Sequence, residues 1–509
     1  MSTTIASTTT GKFDAPDQGK PGAYGLRTRC LSPFEVLSQS IAVIAPSASM
    51  AAIIPLAYAS AGNATWLAYL VTGIGLVLVG LNVNQFTRRS ASPGSLYSYT
   101  TMALGPAWGV FVSWAWLVAY IGCGIALAGA AANFMLLLFG SPTGAIWPYV
   151  AYAVAVLIPW YIAYRDIRLS TKLMLILEFS GMALIALLLI PVFMKIPFHL
   201  YMPQISLQGY TFKAFYLGLL LAIFADIGFE SSSTLGEEAR NPLKTIPRTV
   251  IGAVVIACTF YVISTFGMVG AFRASGVTLD GNADALKTMA TFAGIGWLAP
   301  ALTIMVLVSA IGCTLGSLNA ACRVLFAMGR HGLLHSSIGE AHKKNETPHI
   351  SVSVCAAISL IVGLLTMKIW TLGPTDLLND GGSFSAYGFI VGYVMIAIAA
   401  PVFLKKQGSL TPGAIAISAA ALLFLIVPTV GSFYPLPDPP VRYFPYAFGV
   451  YMLLGGAWLF VQNKRSGQVI EKIEADLEDI NTRFEVGGKR LIMHGTELEG
   501  IGETNVAPA

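Results

Sequence analysis

The 509-residue chain is 55% hydrophobic and only 11% charged, with a formal net charge of +5. Soluble domains carry about 25% charged residues, so this composition excludes a soluble globular protein and predicts an integral membrane protein. The sequence has no basic tract and no nucleic-acid-binding motif, which excludes a nucleic-acid partner. It has no HExxH, no nucleophile elbow and no phosphate-binding loop, so we expect that the protein is not an enzyme.

Twelve apolar runs follow a polar N-terminal stretch of 30 residues, which we expect to be a disordered tail. Each run is long enough to cross a bilayer, which takes about 20 residues. The third run is too long for one straight span, and Gly105 and Pro106 predict a bend in it. The runs cover residues 35–61, 65–86, 95–139, 144–164, 170–193, 213–236, 248–272, 297–325, 350–368, 377–403, 411–431 and 444–463. The sequence therefore predicts an all-α membrane protein with twelve transmembrane helices.

The basic residues of the short loops indicate how the chain is oriented in the membrane. Fourteen Lys and Arg residues fall on the side of the N-terminus, against six on the other side. Loops rich in Lys and Arg stay in the cytoplasm. We therefore predict that both termini are cytoplasmic and that the protein lies in the cell (inner or plasma) membrane.

The last stretch, residues 466–509, differs in composition from the spans. Val469, Ile470, Ile473, Leu477 and Ile480 recur at helical spacing among acidic and basic residues, which predicts a short amphipathic helix. Such a helix could lie on the membrane surface or cover a cytoplasmic loop, and the sequence leaves both open.

Two of the predicted spans are interrupted by residues that break helices or cost energy in a membrane. In the first span Pro46 cannot donate a backbone hydrogen bond, and small polar residues follow at 47–49. The sixth span carries Asp226, Gly228 and Glu230 at its centre, and carboxylates at membrane depth usually face a polar interior. Small residues can also serve close helix packing, which is the alternative for the first span. Breaks five spans apart predict a five-plus-five inverted repeat with a substrate site where the breaks meet.

The direction of the two broken helices predicts the chemistry of the site. The outer half of the first span should begin near Ser49, and a helix start offers free N–H groups to an anion. The outer half of the sixth span should end near Ala225, where carbonyl groups and Asp226 would attract an amine. A site with one end for a carboxylate and one for an ammonium is an amino-acid site. The predicted substrate contacts are Ser47, Ala48, Ser49, Met50, Phe224, Ala225, Asp226, Ile227 and Gly228.

The breaks and the composition divide the chain into four parts. They are a cytoplasmic tail at 1–30, a transport core of spans 1–10 at 31–403, spans 11 and 12 at 404–465, and a cytoplasmic tail at 466–509.

Three motifs, in this order along the chain, resemble the amino acid–polyamine–organocation (APC) superfamily of permeases. The resemblance covers about residues 31–465 and implies a leucine-transporter-type fold, alternating access and transport of amino acids or amines. The motifs are PGSLYSY at 93–99 with LG at 104–105, GFE at 228–230 with GEEARNP at 236–242 and IPR at 246–248, and SLN at 317–319 with Arg323 and AMGRHG at 327–332.

The resemblance assigns roles to individual residues. Phe224 falls where a gating aromatic covers the substrate, and Glu230 falls on an acidic position linked to protons. Residues 48–50 replace a Gly-Ser-Gly turn. Asp226 stands where an aromatic residue is usual, which suggests a cationic or amine-bearing substrate.

A fifth-span lysine, which in some members stands in for sodium, is absent from this chain. Gly181 occupies its position, and Glu178 lies one turn earlier. Glu178 is therefore a second candidate for proton coupling, beside Glu230.

The sequence predicts a secondary active transporter that imports an amino acid or related amine, coupled to protons and without cofactor or metal. Glu230 could instead make only a structural hydrogen bond, and Asp226 could carry the proton rather than bind substrate. Na⁺ is the rival driving ion, and Ser309 and Thr314 would have to supply its ligands. An amino acid or polyamine exchanger, an inorganic cation transporter such as one for potassium, and a sensor that binds without transport are further alternatives.

Overall fold

The structure, a computed structural model, describes residues 25–140, 142, 144–280, 284–434, 439–466 and 469–483. Eleven helical stretches within these ranges are long and apolar enough to cross a membrane. The first of them, Pro33–Thr87, contains a broken helix and then a complete second helix, so it accounts for two crossings. The predicted twelve spans are confirmed, and the chain is a multi-pass membrane protein.

Spans 1 and 6 are broken, and the other ten are continuous. Span 1 consists of helix 1a (Pro33–Ile44) and helix 1b (Pro46–Ala61), and span 6 of helix 6a (Phe212–Asp226) and a 3₁₀ segment, 6b (Phe229–Leu235). The breaks lie five spans apart, as the inverted repeat predicts. The remaining spans are span 2 (Thr65–Thr87), 3 (Pro106–Leu138), 4 (Trp147–Arg165), 5 (Ile167–Lys195), 7 (Pro242–Ser275), 8 (Ala299–Arg330), 9 (His349–Ile369), 10 (Pro374–Lys406), 11 (Pro412–Gly431) and 12 (Phe444–Ser466).

Two local features differ from the sequence expectation by a few residues. Helix 1b begins at Pro46 rather than near Ser49, because proline fits the first position of a helix, where its missing N–H has no partner to lose. The predicted bend before span 3 is a full separation: a short helix, Leu96–Leu104, ends at Gly105, whose φ of +96° suits glycine.

Spans 3, 8 and 10 form the centre of the molecule. Span 3 packs along both of the others, and small residues allow the helices to approach closely. A Cβ atom on Gly388 of span 10 would stand 2.3 Å from the carbonyl oxygen of Ala115 in span 3. A Cβ on Gly129 of span 3 would stand 2.6 Å from the Pro374 carbonyl. This scaffold positions the two broken helices beside it.

The side of the molecule on which the described residues begin and end, called here the terminal side, is closed by the segment before helix 1a. The Leu31 N–H donates to Glu238 (2.9 Å) and the Arg240 N–H donates to Leu31 (3.0 Å), which ties this segment to the chain after 6b. The Arg27 guanidinium lies 3.1 Å from Asp166 and 2.8 Å from Glu346. These bonds join residues 25–31 to the rest of the molecule, and the expected disorder of the tail stays a prediction. The expected disorder of residues 1–24 lies outside the described residues.

A buried ion pair lies on the same terminal side. The guanidinium of Arg323 in span 8 binds the Glu238 carboxylate, with Nε 3.2 Å from Oε1, and neither side chain is more than 2% exposed. Removing one partner of such a pair would leave a buried charge uncompensated. The pair therefore fixes span 8 to the chain that follows 6b.

The helix expected in the C-terminal tail spans Val469–Arg483. Its apolar residues Val469 and Ile473 are buried, and Asp476 lies 3.0 Å from His331 Nε2, just past the end of span 8. The His331 Nδ1 atom in turn bonds the Tyr97 hydroxyl. Of the two placements left open by the sequence, the tail helix covers the terminal end of span 8. The rest of the predicted tail, residues 484–509, lies outside the described residues.

Candidate substrate site

The two helix breaks touch each other inside the bundle. Helix 1a ends at Ala45, which has a left-handed backbone (φ +50°), and helix 6a ends before Gly228, whose φ is +87°. A Cβ atom on Gly228 would stand 2.3 Å from Cγ1 of Val43, at the end of helix 1a. Glycine is therefore required at position 228 both for its backbone angle and for the space.

A small cavity lies at this meeting point. Its volume is about 20 Å³, which holds about one water molecule, so an amino acid enters only when the surrounding helices move apart. None of its lining residues is charged, and all belong to spans 1, 3, 6 and 10. They are Val43, Ile44, Ala48, Ser49, Ala52, Ile53, Cys123, Leu127, Ala130, Phe224, Ile227 and Leu378.

Of the nine predicted substrate contacts, Ala48, Ser49, Phe224 and Ile227 line this cavity. The predicted gate, Phe224, also packs against span 10, where a Cβ atom on Gly382 would meet its ring at 2.2 Å. The other predicted contacts do not line the cavity; they are Ser47, Met50, Ala225, Asp226 and Gly228.

Sequence reasoning missed the apolar lining that spans 1b, 3 and 10 supply. Ile53, Leu127 and Leu378 are ordinary apolar residues within apolar runs, and nothing in the sequence separates them from residues that face lipid. Only the packing of span 3 against span 10 shows which of these residues turn inward.

The N–H groups at the start of helix 1b, expected to bind a carboxylate, already have acceptors in this closed conformation. The Ser47 N–H donates to Glu178 Oε1 (2.9 Å), and the Ala48 N–H donates to the Ser309 hydroxyl (3.2 Å). The Ser49 N–H donates to the Ala45 carbonyl (2.9 Å). A substrate carboxylate could take these groups only by displacing an acceptor from the protein itself.

Glu178 acts as a cap on helix 1b from another span. It is fully buried on span 5, one turn before Gly181, where a Cβ atom would stand 2.8 Å from the Ser47 hydroxyl. A carboxylate at a helix start is stabilised by the N–H groups and by the helix dipole. The close approach at Gly181 leaves no room for a lysine side chain and lets Glu178 reach the break.

We expect Glu178→Ala to lower the free energy of unfolding by about 1–3 kcal/mol, because it leaves the buried Ser47 N–H without an acceptor. Glu178→Gln keeps an acceptor oxygen and should cost less. The thermal unfolding midpoint of purified protein in detergent measures both, with the exposed Glu471→Ala as the control. An alanine variant as stable as the wild type would show that the cap contributes nothing.

Glu230 joins segment 6b to two other spans. Its Oε1 accepts a hydrogen bond from the Tyr120 hydroxyl of span 3, and its Oε2 accepts one from the Tyr393 hydroxyl of span 10, both at 2.6 Å. The Gly228 N–H donates to the Tyr393 oxygen (3.0 Å), so this network reaches the break itself. Each oxygen of Glu230 accepts one hydrogen bond, which suits a charged carboxylate. Protonation of Glu230 requires one of the two tyrosine hydroxyls to turn around.

Asp226 does not line the cavity, and its expected contact with the substrate amine stays a prediction. Residues two apart on a helix point in directions about 200° apart, so Asp226 and the cavity-lining Phe224 occupy opposite faces of helix 6a. The Asp226 carboxylate faces spans 2 and 7, within electrostatic range of Tyr69 and Tyr261. The Ala225 carbonyl, also expected to bind the amine, accepts a hydrogen bond from the Tyr261 hydroxyl (3.1 Å).

Comparison with known proteins places the chain in a family. The amino acid permease family model matches residues 35–462. The branched-chain amino acid permease BcaP of Bacillus subtilis (strain 168) is 23% identical over 389 residues, covering 72% of this chain and 80% of the relative. The serine/threonine exchanger SteT of the same organism is 26% identical over 359 residues, covering 69% and 77%. Its methylthioribose transporter is 23% identical over 398 residues, covering 74% and 82%.

The family match spans both helix breaks and the cavity between them. It agrees with the resemblance found in the sequence motifs and with the broken first and sixth spans. The protein therefore belongs to the amino acid permease family, within the APC superfamily, and is a membrane transporter of amino acids.

Proposed function

We propose that this permease imports a neutral amino acid with an aliphatic side chain, by proton symport and alternating access. The observation that carries the proposal is the uncharged lining of the cavity at the two helix breaks. Ile53, Leu127 and Leu378 offer apolar surface to a side chain, and apolar contact favours an aliphatic group over a charged one. Two relatives named as branched-chain amino acid permeases, from Bacillus subtilis and Lactococcus lactis, support this choice.

The neutral substrate replaces the cationic one that the sequence suggested. That suggestion rested on Asp226, which lies on the opposite face of helix 6a from the cavity. The charged ends of a neutral amino acid match the broken helices: the carboxylate suits the start of helix 1b at Ala48 and Ser49, and the ammonium suits the carbonyl end of helix 6a.

The proton is the driving ion in this proposal, with Glu230 as its carrier and Glu178 as the second candidate. Glu230 belongs to broken span 6 yet is held by spans 3 and 10, so a movement of 6b changes what surrounds its carboxylate. Na⁺ is less well supported, because the two span 8 hydroxyls expected to bind it, Ser309 and Thr314, have other partners. Ser309 accepts from the Ala48 N–H, and the Thr314 hydroxyl donates to the Ala310 carbonyl at 3.1 Å.

The short loops on the terminal side hold more Lys and Arg residues than those on the other side, which supports a cytoplasmic location for the terminal side. In that orientation, the segment around Arg27 and Leu31 closes the cavity toward the cytoplasm. Release of the substrate into the cell then requires this segment to separate from the chain after 6b.

Uptake by the purified protein in liposomes tests the proposal. We expect radiolabelled leucine or valine to accumulate several-fold when the outside is more acidic than the inside, and lysine in excess not to compete. Liposomes without protein are the control. Uptake that follows a Na⁺ gradient and ignores the pH gradient would contradict proton symport, and competition by lysine would contradict the neutral substrate.

Exchange is the second candidate mechanism, because a serine/threonine exchanger is among the relatives. The same liposomes separate the two mechanisms. Uptake into liposomes that contain no amino acid supports symport, whereas uptake only into liposomes preloaded with amino acid supports exchange.

A further inference from the structure

Asp226 is the buried carboxylate that the proposed transport cycle does not use. Its side chain is completely buried, and neither of its oxygens has a hydrogen-bond partner among the described residues. It also lies at the C-terminal end of helix 6a, where the carbonyl groups carry a partial negative charge. A bare anion in such a place is costly, so the carboxylate needs a positive partner.

The walls around Asp226 come from spans 2 and 7 and carry hydroxyl groups. The Tyr69 hydroxyl of span 2 is buried and has no hydrogen-bond partner among the described residues. Its ring centre lies 4.9 Å from that of Tyr261 in span 7, whose hydroxyl bonds the Ala225 carbonyl next to Asp226. The Cys258 thiol contacts the Tyr69 carbonyl at 3.3 Å and closes the gap between these two spans.

Further hydroxyls without partners lie one turn away on the same two spans. Spans 2 and 7 run antiparallel, with Trp66 beside Phe266 and Tyr69 beside Tyr261, so Thr72 lies one turn to one side of the tyrosine pair and Ser264 and Thr265 lie one turn to the other side. All three are at most 1% exposed, and within the described chain their hydroxyls have no hydrogen-bond partner. Buried polar groups in native proteins nearly always have a partner, so the unpartnered Asp226 carboxylate and the unpartnered Tyr69 hydroxyl near it indicate a bound species.

We propose that Asp226, with the hydroxyl of Tyr69, forms an ion site for a small hard monovalent cation, a proton or Na⁺. Carboxylate and hydroxyl oxygens are the ligands that hard cations prefer. The negative end of helix 6a adds to the attraction. The site is distinct from the substrate cavity, because the cavity is lined by spans 1, 3, 6 and 10 and this cluster by spans 2, 6 and 7.

The only span common to both sites is span 6. A cation held at Asp226 fixes the end of helix 6a, and Phe224 and Ile227 on that same end line the cavity. Binding of the cation and of the substrate are therefore coupled, and the coupling is reciprocal: each raises the affinity of the other by the same factor.

Few other titratable groups surround Asp226. Tyr69 faces it from span 2, and Cys258 and Tyr261 face it from span 7. Spans 1b, 10 and 11 also pack on helix 6a. Span 11 has no titratable residue; those of span 1b and span 10 are Tyr58, Asp376, Asp380, Tyr387, Tyr393, Lys405 and Lys406. The described part of the chain shows no ion pair between any of the basic groups and Asp226.

Thermal unfolding in detergent, without substrate, tests the site. Wild type and Asp226→Asn are compared along a series of NaCl concentrations balanced by choline chloride at one pH, and along a pH series in choline chloride. We expect one of the two cations to raise the midpoint of the wild type in a concentration-dependent manner, by the linkage of binding to stability, and to leave Asp226→Asn unaffected. The responsive series identifies the ion as Na⁺ or as the proton.

Two further variants make the test specific. Tyr69→Phe removes one hydroxyl and keeps the ring. This variant should therefore need a several-fold higher concentration of the same cation for the same rise in the unfolding midpoint. Asp280→Asn, an exposed carboxylate in an outer loop, should respond like the wild type. The ion site is refuted if the unfolding midpoints of Asp226→Asn and of the wild type respond equally to both cations, whether by the same shift or by none.

Substrate binding distinguishes this proposal from the proposed function, on which the coupling rests. Leucine affinity of the wild type should rise with the cation, and Asp226→Asn should bind leucine with an affinity that no longer depends on it. Loss of leucine binding in Asp226→Asn, with the cation dependence of stability intact, would assign Asp226 to the substrate and refute the ion site. A protein that binds the cation but not leucine would refute only the proposed substrate.

Discussion

Glu230→Gln should abolish accumulation of the substrate driven by a pH gradient, with a loss of about a hundredfold or more in initial uptake rate. We take the scale from enzymes, in which loss of a general acid or base costs about 10²–10⁴-fold in rate. Glutamine has nearly the same shape and can still bond one of the two tyrosines, so the variant should remain folded. Uptake into liposomes with an acidic exterior measures the effect, and the unfolding midpoint measures the fold.

Tyr120→Phe is the matched control for this prediction, since it removes one hydrogen bond to Glu230 and keeps the carboxylate. It should lose only part of the uptake and keep its dependence on the pH gradient. If Glu230→Gln also keeps that dependence, the carboxylate is a structural tie between segment 6b and spans 3 and 10. Glu178 would then be the remaining candidate for the proton carrier.

Gly228→Ala should reduce transport more than about tenfold and destabilise the protein by about 2–5 kcal/mol. The left-handed backbone at this position costs an alanine roughly 1–2 kcal/mol, and overpacking adds about 1–3 kcal/mol. The overpacking arises because the new Cβ would stand 2.3 Å from Cγ1 of Val43, where the two helix breaks meet. Initial uptake rates and unfolding midpoints measure the two effects separately.

The control for Gly228→Ala is Gly449→Ala in span 12, where a Cβ atom meets nothing within 4 Å. Adding Val43→Ala to Gly228→Ala should recover part of the lost stability, because it removes the close contact and leaves only the backbone strain. Gly228→Ala with wild-type stability and transport would show that the break does not need a glycine. No recovery in the double variant would show that the contact with Val43 is not the cause.

The helix breaks could be predicted because they follow from the backbone chemistry of single residues. Pro46 has no N–H, and Gly228 lies beside carboxylates in an apolar run, so both positions stand out in the sequence. Helix 1b begins at Pro46, three residues before the start near Ser49 that the sequence predicts. Pro46 is therefore the first residue of this helix rather than part of an unwound segment. This difference of three residues changes which N–H groups lie in the first turn of helix 1b.

The direction of Asp226 could not be predicted, because it depends on the rotation of helix 6a at its last residue. One more or one fewer residue before the break would turn the carboxylate by about 100°. Glu178 was recognised as a buried carboxylate, but its role as a cap on helix 1b requires the packing of span 5 against span 1. The apolar lining from Leu127 and Leu378 carries no signal at all in the sequence.

The bonds that close the terminal side differ in how far dissolved salt reaches them. Arg27 is 23% exposed, whereas the Arg323 side chain paired with Glu238 is 2% exposed. Mobile ions screen exposed charges over about 8 Å at physiological ionic strength and act much less on buried pairs. High ionic strength should therefore loosen the outer clamp at Arg27 and leave the inner pair intact. The opening of this side thus has two successive barriers, of which only the first depends on the salt around the protein.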